Sequence, residues 1–115
     1  MEPLPRREFE SLVADALDRI PAPLAELIDN VVVVVEDRHP DEDDLLGLYE
    51  GVPLTEREAY GGLVMPDRIT IYRLAVCEGC EDADEVVEEV AVTLIHEVAH
   101  HFGIDDERLD ELGWA

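Results

Sequence analysis

The chain has 115 residues and a formal net charge of −22, from 30 Asp and Glu against 8 basic residues. Such a field repels phosphate backbones and anionic lipid, which removes nucleic acid and membrane surfaces from the expected partners. With 47% apolar residues, residues 1–115 are expected to form one domain around a single core.

Met1–Ile20 is charged throughout and carries no apolar stretch of signal-peptide length, so a soluble, cytoplasmic protein is expected. Within it, Phe9, Leu12, Val13, Ala16, Leu17 and Ile20 recur at helical spacing. They predict an amphipathic helix over Arg7–Arg19, ended by Pro21 and Pro23. Leu24–Asp29 is a candidate second short helix. Val31–Val35, five β-branched residues in succession, predicts a buried strand and is far too short to span a bilayer. A polar connection over Asp37–Asp44 leads to a strand at Leu45–Tyr49. A loop through Val52, Pro53, Gly61 and Gly62 comes next, and then a strand over Ile69–Val76. Ala83–Phe102 reads as a long helix stopped by Gly103, with a short last helix ending near Leu112 and stopped by Gly113. Helices at both ends and strands between them indicate an α+β fold.

The chemistry concentrates in His96-Glu97-Val98-Ala99-His100-His101-Phe102-Gly103-Ile104-Asp105-Asp106, an H-E-x-x-H extended to H-E-x-x-H-x-x-G-x-x-D. His96 and His100 lie about 6 Å apart along a helix and project from one face, where they can share a metal. Glu97 sits about 100° around from His96, beside such a metal and not on it. Gly103 can adopt positive φ and turn the chain back, so that Asp106 approaches as a third ligand. Zinc accepts imidazole nitrogen and carboxylate oxygen, and a catalytic zinc site leaves a fourth position for water. Asp105 competes with Asp106 for this role, but the Gly-x-x-Asp spacing selects Asp106 and leaves Asp105 as the cap of the last helix. On a helical wheel Val86, Val87, Val90, Ala91, Leu94, Ile95, Val98, Ala99 and Phe102 form one broad apolar face. His96, His100, Thr93 and Glu89 lie opposite, with Glu97 flanking them. His101 falls in the apolar arc and reads as a packed, hydrogen-bonded structural histidine. The bare H-E-x-x-H arises by chance on the order of once in several hundred chains this long, and the added Gly and Asp lower that by roughly a few hundred-fold.

His96–Asp106 and the run Asp106–Gly113 resemble the short bacterial zincin-like metallopeptidase family, the minimal zincins. The segments Gly47–Arg57 and Pro66–Arg73 are similar to that family as well, so the resemblance covers about Leu45 to the C-terminus. It implies a small zincin-like domain, with the motif helix under a short mixed sheet of about 3–4 strands. It also implies zinc held by His96, His100 and Asp106, with Glu97 as catalytic acid/base. Met1 and Met65 both precede the motif, so there is no Met-turn of the metzincin kind after it. The short stretch after His100 favours Asp106 over Glu107 or Glu111 as third ligand.

The expected activity is zinc-dependent hydrolysis of a peptide or protein. The ion activates a water, Glu97 takes its proton, and the proton passes to the leaving amine. Tyr60, Tyr72, Arg68 and Arg73 are candidate donors to the developing oxyanion. The strand at Ile69–Val76 could pair with an extended substrate. A different class of function keeps the scaffold as a zinc-binding regulatory or interaction module that cleaves little. A third is a zinc-dependent RNA-processing hydrolase, which the charge opposes. The acidity itself reads either as attraction for a cationic substrate or as genome composition, every basic residue being Arg. Cys77-Glu78-Gly79-Cys80 is a lone C-x-x-C at a strand end, read as a plain loop, because acidic neighbours raise a thiol pKa. His39 reads as a solvated loop residue.

Overall fold

In the computed structural model, which describes residues 1–28, 31–51 and 67–111, the first helix arises from its apolar spacing. α1 (Arg6–Asp18) turns Phe9, Val13 and Ala16 into the core, since residues three and four apart share a helix face. Pro21 follows two residues beyond its C-cap, Arg19. Pro23 opens the first turn of α2 (Ala22–Ile28), where a missing N–H costs nothing. α2 buries Leu24 and Ile28.

β1 (Val31–Glu36), β2 (Gly47–Glu50) and β3 (Asp67–Tyr72) form one sheet in the order β1–β3–β2. β1 runs parallel to β3, with Val33 opposite Ile69, and β2 runs antiparallel, with Tyr49 opposite Ile69. The fold is thus α+β with a mixed sheet, as expected, and three strands lie among the described residues.

Two strand expectations need correction. The strand predicted over Ile69–Val76 stops at Tyr72, and Arg73–Glu78 forms a helix, α3. A short apolar run suits either state, and here Ala75, Val76 and Cys77 are buried from a helix. The valine run is also not a buried strand: among the described residues β1 has a neighbouring strand on one side only, and within it only Val35 is buried while Val32 is exposed. It is β3, flanked on both sides, that buries four residues in succession, Ile69 to Tyr72. Burial on both faces stems from central position in the sheet, not from density of β-branched side chains. The loop expected through Val52, Pro53, Gly61 and Gly62, and the stop at Gly113, lie outside the described residues.

α4 (Ala83–His101) organises the remainder: α1, α2, α3, β2 and β3 all pack on it. Its start is set by Asp82, whose carboxylate accepts the Glu85 N–H at 2.9 Å, an N-cap of the preferred type. Its buried residues match the predicted apolar arc except at two positions. Phe102 is 49% exposed, and Thr93 is buried. β2 crosses directly over Thr93, and a Cβ at Gly47 would stand 2.7 Å from the Thr93 Cγ2. Gly47 therefore permits a strand-to-helix approach that any side chain would block. α5 (Asp106–Glu111) closes the described chain and buries Leu109.

Cys77 ends up in α3 and Cys80 just beyond it, both buried and unbridged, and not in a loop after a strand. Burial pushes the Cys80 thiol up, and the Glu89 and Glu85 carboxylates add to the shift. Both effects disfavour the reactive thiolate. Among the described residues no helix is long and apolar enough to cross a membrane.

Candidate metal centre

His96 and His100 occupy the last turns of α4, and their rings meet edge to face with centroids 5.8 Å apart. The one-turn spacing alone accounts for this pairing. The turn after the helix brings in the third group. Gly103 has φ +76°, a conformation that glycine adopts without steric cost. The Gly103 N–H donates to the His100 carbonyl at 3.2 Å and the Ile104 N–H to the Ala99 carbonyl at 2.7 Å. This is the Schellman pattern of a helix ending in a left-handed residue. The chain reverses, and α5 begins at Asp106.

The reversal places an Asp106 carboxylate oxygen 3.1 Å from His100 Nε2 and 3.8 Å from His96 Nδ1. One donor atom from each of the three residues falls within 4.8 Å of the others. Zinc bonds of about 2.0–2.2 Å in tetrahedral array put neighbouring donors roughly 3.3 Å apart, a spacing close to that of this triad. Two imidazoles with one carboxylate also suit zinc better than magnesium or calcium, which prefer all-oxygen shells. His100 and Asp106 are exposed and His96 is half-buried, so a fourth position would face solvent. Asp105 instead accepts the Arg108 N–H at 2.9 Å and caps α5. The two adjacent aspartates therefore differ in role: one caps, the other reaches the histidines.

Replacing Gly103 by alanine tests the turn. A Cβ there meets nothing within 4 Å, so the cost is the backbone strain of positive φ, about 1–2 kcal/mol in a denaturant titration. Zinc affinity should fall with it, because the same turn aims Asp106.

Beside the histidines opens a cleft of about 510 Å³, lined by Glu42, Asp44, Leu45, Leu46 and Gly47 on one wall and by Glu89, Val92, Thr93, His96 and Glu97 of α4 on the other. Glu97 thus shares the cleft with His96 and lies half-buried on its wall. Of the four candidate oxyanion donors, Tyr60 lies outside the described residues, and the other three are held elsewhere. Arg68 pairs with Glu50 at 2.9 Å, and that contact raises its pKa. Arg73 donates to the Leu4 carbonyl and to Asp37. Tyr72 is buried against the His39 ring, and burial raises its phenol pKa. None of these three lines the cleft.

His101 does pack, but outside the core: its side chain is 40% exposed and its ring stacks on Tyr49 at 3.9 Å. The Tyr49 hydroxyl donates to Asp67 at 2.7 Å, and His101 Nε2 stands 3.9 Å from the same carboxylate. This group ties the last turn of α4 to β2 and β3, next to His100. Sequence reasoning missed Tyr49 and Asp67. Their only signal was membership of the two family-like segments, and their meeting depends on β2–β3 register. His39 is half-buried rather than solvated. Its Nδ1 accepts the N–H groups of Asp41 and Glu42, each at 3.1 Å, and so shapes the turn that carries Glu42 into the cleft.

The sequence profile of the zincin-like metallopeptidase family matches residues 28–114. Among solved structures, a conserved hypothetical protein from Thermo thermophilus superposes with a TM-score of 0.56 at 21% identity, over 86% of this chain and 94% of that one. At such identity the likeness concerns the fold. No curated protein matches the chain in sequence.

Proposed function

The chain belongs to the zincin-like metallopeptidase family, and from that premise we propose that it is a zinc-dependent peptidase of the cytoplasm. His96, His100 and Asp106 hold the ion, and Glu97 is the general base. The observation that carries this reading is the convergence of two imidazoles and one carboxylate within 4.8 Å at a cleft that also holds Glu97.

When bound, zinc supplies a Lewis acid and draws the pKa of water at the site towards ~7. The chain's own residues do the rest. The two histidines and Asp106 would hold the ion. Glu97 takes a proton from the attacking water and returns it to the departing amine. A structural zinc site has no need of such a carboxylate, which favours turnover over mere binding. An extended peptide cannot add to β3, as the sequence suggested, because β3 is flanked on both sides. β2 borders the cleft and has no strand on its far side among the described residues, so the substrate is assigned to β2.

The test is digestion of a peptide library by the purified, zinc-loaded chain. Cleavage that chelator abolishes and zinc restores is the expected result. Stoichiometric zinc without any cleavage would leave a binding module, and a chain that takes up no zinc would end both readings.

A further inference from the structure

We propose that the cleft beside His96 and Glu97 selects peptides bearing an arginine or lysine side chain next to the scissile bond. The inference deepens the peptidase reading and rests on it for the location of the bond. It starts from the composition of the walls. Leu45, Leu46 and Val92 supply apolar surface, while Glu42 and Asp44 on one side and Glu89 on the other bring three carboxylates.

Those carboxylates have no cationic partner among the described residues. Among the described residues, Arg6, Arg38, Arg68, Arg73 and Arg108 are paired with Glu10, Glu78, Glu50, Asp37 and Glu111. No described side chain makes a hydrogen bond or ion pair to the carboxylates of Glu42, Asp44 or Glu89. Cations are scarce in this chain, with 8 against 30 acidic groups. Of the seven described arginines, five are paired outside the cleft, and Arg7 and Arg19 belong to α1 and its C-cap; among the described residues the negative potential of the cleft is left for an incoming group.

The chemistry of that group is set by the spacing. The three carboxylates do not converge as metal ligands do; the one such cluster among the described residues is His96, His100 and Asp106. A bare divalent ion is therefore a poor occupant. A long side chain with an apolar stem and a cationic head is a good one: the stem lies along Leu45, Leu46 and Val92, and the head reaches whichever carboxylates it can. At about 510 Å³, the cleft is within the range of ligand pockets. It opens along α4 from Glu97 towards Glu89, two helical turns away, so it can take a side chain of a substrate seated at the histidines.

Matched peptides decide it, one with arginine at the subsite and one with the neutral isostere citrulline. Binding is measured by calorimetry on the zinc-loaded Glu97→Ala chain, and cleavage on the zinc-loaded wild type. The arginine peptide should bind about tenfold more tightly, and E42Q/D44N/E89Q should bring the ratio within about threefold of one. A second triple variant, E8Q/D15N/D18N on the exposed face of α1, removes equal charge far from the cleft and should retain the ratio. Equal binding of the two peptides, failure of both to bind, or equal loss in both triple variants would overturn the proposal. Arginine-selective binding without cleavage by the wild type would sink the peptidase reading while upholding the selectivity. Cleavage of both peptides at one rate, with equal binding, would do the reverse.

Discussion

Glu97→Ala is expected to keep its zinc and its fold while peptide hydrolysis falls by about 10²–10⁴-fold, the usual worth of a positioned general base. Two features separate these effects. Glu97 is not among the three groups that converge on the metal position, so its loss removes no ligand. It is also only half-buried on a helix face that borders solvent, and alanine is the better helix former. Zinc content by atomic absorption, helicity by circular dichroism and initial rates on a cleaved peptide make the comparison. A rate within threefold of wild type would remove Glu97 from the mechanism. Loss of zinc would mean that its carboxylate helps hold the ion.

The second large effect concerns two neighbouring aspartates. Asp106→Asn should weaken zinc binding by more than the roughly 10–100-fold that loss of an outer-shell partner costs, since its carboxylate stands 3.1 Å from His100 Nε2. Asp105→Ala should leave zinc affinity nearly unchanged and cost about 1 kcal/mol of stability, the worth of an N-cap. The two outcomes are read by competitive zinc titration and by denaturation. Zinc at 100 times its Kd should stabilise the wild type by about 2.7 kcal/mol, and most of that gain should vanish in Asp106→Asn alone. Swapped results would exchange the roles of the two residues and place the third ligand at Asp105.

Both experiments bear on features that were legible before any coordinates. The pairing of His96 with His100 needs only the 3.6-residue period. The reversal needs only a residue free to take positive φ, which Gly103 supplies at +76°. The assignment of Asp105 as cap and Asp106 as partner of the histidines comes from counting three residues beyond that glycine. The end of β3 was less legible, since the mostly apolar residues 69–76 suit strand or helix alike, and packing against α4 accompanies the change of state at Tyr72. The wheel was right for Val86 to Ala99 of the apolar arc and wrong at two positions: Phe102, which is exposed, and Thr93, which it placed on the open side and which is buried. Nothing in a helical period reports that a strand with glycine at position 47 lies across it.

The division reflects the range of the forces concerned. Helix period, capping and the glycine stop act between residues a few positions apart, and they set the motif, its two imidazoles and the carboxylate that meets them. Strand order, the central burial of Ile69–Tyr72 and the stacking of His101 on Tyr49 join residues that are far apart in the chain. So does the cleft that faces Glu42 and Asp44 towards Glu89. Such contacts form only when the whole core closes, and many pairings suit a given apolar strand. The arrangement of the candidate metal site is therefore a local property of this chain, while the shape and charge of the cleft beside it belong to the packed fold.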